Sequence, residues 1–147
     1  KYLDFLQKFK REDYSGEENQ SYRRIWTKLL SKYASNYDLF DIALSPLSPN
    51  TFNLVKSQLK TLESGFHHKM LIAQDYGPYQ IDGIHGKNCM LVQERKNHKD
   101  WFRFVKQGIE SKSMREDLGE ALYETVKDKD HINNDSFLRR QFYLNLI

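Results

Sequence analysis

Three short apolar runs set the limits on what this chain can fold into. DIALSPL over Asp41–Leu47, MLIA over Met70–Ala73 and CMLV over Cys89–Val92 are too short for helices and show no polar alternation. Such runs mark strands buried on both faces, the usual state in a parallel sheet. Pro46 ends the first, the loop DYGPY ends the second, and the turn-forming HGKN introduces the third. Between the first two, Thr51–Ser64 has helical spacing, and Gly65 stands where a C-terminal glycine cap belongs. Strand, helix, strand, turn, strand predicts an α/β fold built on a short parallel sheet.

The remaining segments read as helices. Tyr2, Phe5, Leu6 and Phe9 have helical spacing, and the polar stretch Arg11–Ser21 with Gly16 reads as a loop. Ile25–Phe40 carries Ile25, Trp26, Leu29, Leu30 and Tyr33 on one face, although RRIW also suits the start of a strand. Asn97 with Asp100 can cap a helix through Trp101, Val105 and Ile109. Ser113 with Glu116 forms a capping box for a helix carrying Leu118, Ala121, Leu122 and Val126. Asp135 can cap a last helix with Phe137, Leu138, Phe142 and Leu146. The expected organisation is an N-terminal helix and polar loop over residues 1–21, then an α/β domain over 22–147. Strands for the first half of a doubly wound sheet are not evident.

Composition narrows the function classes. The 23 Lys and Arg against 20 Asp and Glu leave a charge of +3 with no basic block, too weak for a nucleic-acid footprint. A pI near 8.9 mildly favours anionic ligands or an anionic membrane surface. One cysteine, Cys89, excludes an internal disulfide, and no apolar run approaches the roughly 18 residues of a membrane span. Lys1 stands where an initiator Met would, so a piece of a longer protein is expected, with the cytoplasm as the default location.

The segment NTFNLVKSQLKTLESG holds the most chemistry. On a continuous helix at about 100° per residue, Asn53, Lys56, Lys60 and Glu63 share one arc of roughly 80°. Val55, Leu59, Leu62 and Phe66 then form a separate apolar stripe facing the core. Two lysines a turn apart can neutralise a diphosphate, and a carboxylate can accept hydrogen bonds from vicinal ribose hydroxyls. Lys and Glu at these spacings furnish an ordinary solvated helix face equally well.

The second element is the loop from Gln74 to Tyr79, at the carboxyl end of a strand, where open α/β sheets bind ligands. Gly77 allows close backbone approach, and free amides there could hold phosphate oxygens; a plain Gly-Pro turn fits too. Neither a dinucleotide fingerprint nor a P-loop is present. His67, His68, His85 and Asp75 lack metal-ligand spacing, so no metal is expected. Cys89 reads as a buried inert thiol, and Trp101, Phe102 and Phe104 as core and neighbouring-domain contacts.

Taken in order, DIALSPL, N-x-x-K-S-x-x-K-x-x-E-S-G, MLIAQDYGPY, HGKNCMLV and a helix containing DW resemble the C-terminal domain of retaining bacterial glycosyltransferases of the GT-B fold (glycosyltransferase group 1, family 4-like). SMREDLGEALYETV and a terminal helix resemble that domain's helical end, so the similarity covers roughly Arg24–Ile147. It implies a Rossmann-like half-domain with a helical C-terminus that binds a nucleoside-diphosphate sugar. The chemistry implied is sugar transfer to a glycan or glycolipid acceptor with retention, without a metal or other cofactor. A missing N-terminal domain would supply the acceptor contacts, and the full-length enzyme would sit in the cytoplasm, peripheral to the inner membrane face.

Residue by residue, the resemblance places Glu63 on the donor's ribose and Lys56 and Lys60 at the diphosphate. Asn53 and Ser57 complete the matching motif, and Tyr76 and Gly77 match the loop beside the nucleotide. Three positions depart from the family. Val55 stands where many members carry a first glutamate, Ile81 where a carboxylate often follows the glycine loop, and Cys89 where glycine is usual. These departures keep a second class in view, a non-enzymatic α/β interaction module or a degenerate transferase domain.

Overall fold

The computed structural model of the chain describes residues 28–94 and 97–129, together with the helical positions 136, 137, 140, 141 and 144. The expected helix over Tyr2–Phe9, the loop Arg11–Ser21, the strand-like RRIW and the cap Asp135 lie outside the described residues. The chain divides into two units, residues 1–36 and 37–147. In the first, helix α1 (Leu30–Tyr33) runs into a 3-10 helix, Ala34–Leu39, which leads into the second unit.

The second unit contains a three-stranded parallel sheet in the order β1 (Ile42–Ser45), β2 (Met70–Gln74) and β3 (Met90–Val92). Ile42 pairs with Met70 and Ile72 with Met90. The three apolar runs are therefore strands, and the central one is buried along its whole length, as its lack of alternation predicts. Met70, Ile72, Met90 and Val92 face helix α4 (Asn97–Glu110) through Phe104, Trp101 and Val105. Leu71, Ala73 and Leu91 face the other way, where Leu122 of helix α5 (Lys112–Val126) joins them.

The segment from Thr51 to Ser64 is not one helix. A single turn, α2 (Thr51–Leu54), is capped by the Asn50 side chain, which accepts from the Asn53 amide at 2.9 Å. The Asn53 carbonyl is taken by the Lys56 amide three residues on, which closes the turn. A second helix, α3 (Leu59–Phe66), starts after Gln58. The break overturns the expected apolar stripe: Val55 is 78% and Leu59 52% exposed, Phe66 is exposed too, and Leu62 is only half-buried. Thr61, Ser64 and Gly65 face inward instead. A Cβ on Gly65 would lie 2.7 Å from Val126 Cγ2, so small residues let α3 and α5 come close.

Gly65 accordingly is not the cap. The left-handed residue that ends α3 is His68, at φ 51°, with the His68 amide donating to the Gly65 carbonyl and Lys69 to that of Ser64, both at 2.9 Å. Other helix starts also move. Asn97 is the first residue of α4 rather than its cap, and Asp100 is buried beside Arg103 at 3.0 Å. Helix α5 is capped by Ser111, whose Oγ accepts from the Met114 amide at 3.3 Å, and not by Ser113 with Glu116. Arg115 turns back to the Gly108 carbonyl at 2.6 Å, satisfying the end of α4. Ser111→Ala is expected to cost about 1 kcal/mol in urea unfolding and Ser113→Ala nearly nothing. The reverse order would restore the capping box.

The expected helix over Ile25–Phe40 is broken in its described part, where the α-helical turn gives way to the 3-10 helix at Ala34.

Candidate functional site

The carboxyl ends of β1 and β2 lead into two segments that meet. After β1 the chain runs through Pro46–Asn50 into α2; after β2 it forms Asp75, Tyr76 and the 3-10 turn Gly77–Gln80. The Tyr76 hydroxyl donates to the Asn50 carbonyl at 3.1 Å. Gly77 adopts φ 56°, and a Cβ there would lie 3.1 Å from the Asn53 carbonyl oxygen and 3.2 Å from Leu54 Cα. Both the left-handed backbone and the close approach call for glycine at this position. Asn53 is buried, and its side chain donates to the Ser48 carbonyl at 2.7 Å, so it shapes the loop.

Lys56 and Ser57 lie in the exposed turn between α2 and α3, with the Lys56 ammonium 5.0 Å from the centroid of the Phe52 ring. That turn precedes the N-terminal end of α3, where no side chain of Gln58 caps the first amides of the helix. Lys60 and Glu63 both belong to α3 and pair with one another at 2.6 Å. The Glu63 oxygen that takes Lys60 also accepts the Tyr37 hydroxyl at 2.6 Å.

Five of the seven expected residues therefore form two groups, and Lys56 and Ser57 stand in the exposed turn between them. Tyr76 and Asn53 are joined through Asn50 and Gly77 closes directly against Asn53, while Lys60 and Tyr37 both bond the same oxygen of Glu63. The single helical face expected for Asn53, Lys56, Lys60 and Glu63 does not exist, because the helix breaks between Leu54 and Leu59. Asn50 and Tyr37 were not among the expected site residues. Asn50 carries a visible sign, an Asn three residues before Asn53 at a helix start. Tyr37 carries none, since its contact spans 26 positions.

The positions that depart from the family pattern are also placed. Val55 and Ile81 are exposed and apolar. Asp82, beside Ile81, is buried with one carboxylate oxygen held by the Lys129 ammonium, so it does not take the missing carboxylate's place. Cys89 is buried, and burial pushes its thiol from the ordinary 9.0 up to about 12, an inert group at neutral pH.

The histidines are engaged separately. His67 stacks on Tyr37, His68 Nδ1 meets Glu120 at 2.7 Å, and His85 Nδ1 accepts from the Leu91 amide at 3.0 Å. Among the described residues no cluster of three His, Cys, Asp or Glu is poised for a metal, and no helix is long and apolar enough to cross a membrane.

No protein-family model matches the chain, and no curated protein matches its sequence.

Proposed function

We propose that this chain is the donor-binding part of a glycosyltransferase that moves a sugar from a nucleoside-diphosphate sugar to a glycan or glycolipid acceptor with retention. The observation that carries this reading is the meeting of Tyr76 and Gly77 with the turn Asn50–Leu54, in which the matching motif begins at Asn53, at the carboxyl ends of adjacent parallel strands. In an α/β sheet that crevice is where ligands sit. Lys56 and Ser57 precede α3 and Lys60 lies in its first turn, and the three would face the diphosphate, while Glu63 would take the ribose hydroxyls. As the glycosidic bond breaks, charge grows on the diphosphate oxygens; the lysine cations and helix-terminal amides would stabilise it and lower the barrier without a metal. In this reading a further domain would bring the acceptor, at the inner membrane face in the cytoplasm.

The test is a titration with UDP, GDP and their sugars followed by amide NMR. Shifts are expected at Lys56–Glu63 and Tyr76–Gly77. Glu63→Ala should weaken binding about tenfold or more with the fold intact, the usual effect of losing a charged hydrogen-bond partner. Unchanged affinity would remove Glu63 from the site, and no binding at millimolar nucleotide would remove the donor reading.

One observation favours a second reading, an interaction module. An apolar recess of about 400 Å³ lies beside β1, lined by Leu44, Pro46, Trp101, Phe102 and Val105. Phe102 is 73% and Leu44 53% exposed, which suits a contact surface better than a solvated one. A chain that ignores nucleotides would keep this recess as a candidate contact surface.

A further inference from the structure

A carboxylate that recognises a diol needs one oxygen held and one oxygen presented. Glu63 has that arrangement. Its Oε2 accepts both the Tyr37 hydroxyl and the Lys60 ammonium at 2.6 Å, while among the described residues no hydrogen bond reaches Oε1. The side chain keeps 18% of its surface open. An ionised carboxylate is a pure acceptor with room at both oxygens, so Oε1 can still receive hydroxyl donors.

The Tyr37 side is rigid. The residue is buried, its ring lies parallel to His67 with centroids 4.7 Å apart, and Phe40 packs at 5.0 Å with a 55° tilt. A phenol fixed in this way gives a short charge-assisted hydrogen bond from a set direction. Lys60 differs, being 43% exposed on a flexible stem. In the donor-binding reading it also has a second claim on it, the diphosphate.

We propose that Tyr37 is a positioning residue for Glu63: it holds Oε2 so that Oε1 is presented to the vicinal ribose hydroxyls, and it keeps the carboxylate aimed when Lys60 turns to the diphosphate. The proposal rests on the donor-binding reading and adds to it the group that orients the sugar-recognising acid. Fixing the acid before the ligand arrives removes an ordering cost from binding.

The experiment compares the wild-type chain with Tyr37→Phe, Glu63→Gln and the double variant. Each is titrated with UDP and GDP and with their 2′,3′-dideoxy counterparts. Phe keeps the ring that stacks on His67, and the ratio of the two affinities is insensitive to a general loss of stability. The wild type is expected to prefer the ribose form by about tenfold. Tyr37→Phe should bring that ratio most of the way to the value for Glu63→Gln, and the double variant should lose nothing further. A wild-type ratio in Tyr37→Phe, with the ratio lost in Glu63→Gln, overturns the role of Tyr37 and leaves the donor reading standing. A ratio unchanged in Glu63→Gln overturns the roles of both residues. A wild type that binds neither nucleotide overturns the donor reading and this proposal with it.

Discussion

Gly119→Ala is expected to lower the stability of the folded chain by about 3 kcal/mol, read as a shift of the urea midpoint at constant slope. A Cβ at this position would lie 2.3 Å from the His68 carbonyl oxygen, 2.7 Å from its carbon and 3.3 Å from the Lys69 nitrogen. All three are backbone atoms, so no rotamer change relieves the overlap. They also belong to the turn that ends α3 and feeds β2, where His68 already holds φ 51°. Moving that turn strains the central strand; moving α5 opens its contact with Gly65. The helix-propensity gain from alanine, up to about 1 kcal/mol, works in the opposite direction and is smaller than the overlap. Gly86 is the control. Its φ is 72°, but nothing lies within 4 Å of a Cβ there, so Gly86→Ala should cost only the left-handed penalty of about 1–2 kcal/mol. Equal midpoints for Gly119→Ala and the wild type would mean that α5 stands further from the turn.

Leu122→Ala should cost about 3–4 kcal/mol, and Leu59→Ala under about 1. Leu122 is fully buried with Leu71, Ala73 and Leu91, and its side chain faces Gly65 on α3. Glycine has no side chain with which to fill the cavity left behind, so the truncation keeps most of its void. Leu59 is 52% exposed. This pair of variants separates the observed orientation of α3 from the one expected from periodicity, in which Leu59 faces the core. Chemical unfolding of both settles the orientation, and a larger loss for Leu59→Ala would restore the expected stripe.

That reversal shows what the amino-acid pattern could and could not reveal. The three strands were legible because an unbroken apolar run has few other uses in so short a segment. The helical segments of α3, α4 and α5 were legible from period and length, while their first residues were not. Ser111 and Ser113 are alike in sequence, but only Ser111 stands before the helix and accepts an amide, where Arg115 ties back to the end of α4. The face of α3 is not legible from hydropathy because its buried side consists of Thr61, Ser64 and Gly65, which such a pattern counts as outward. Close helix packing selected small residues there over large apolar ones. The break after Leu54 was hidden for a related reason. It depends on Asn50 capping a single turn and on Gly77, far along the chain, closing against it.

The candidate site divides the same way. Gly77 was legible because a glycine after a strand admits few explanations, and its left-handed backbone supplies one. The company kept by Glu63 was not, because Tyr37 reaches it from before β1.

The parallel register carries a consequence for how the chain reaches this state. Ile42 meets Met70 and Ile72 meets Met90, so neither pairing can form as a hairpin between neighbours in sequence. Each strand must wait for an intervening crossover to close, and β2 gains its partners only from remote stretches on both sides. Such high contact order slows folding and leaves MLIAQ exposed meanwhile, an apolar strand that can pair with its like in another chain. Refolding yield from denaturant should therefore fall steeply as protein concentration rises, while α5, whose turns are local, regains its helicity early.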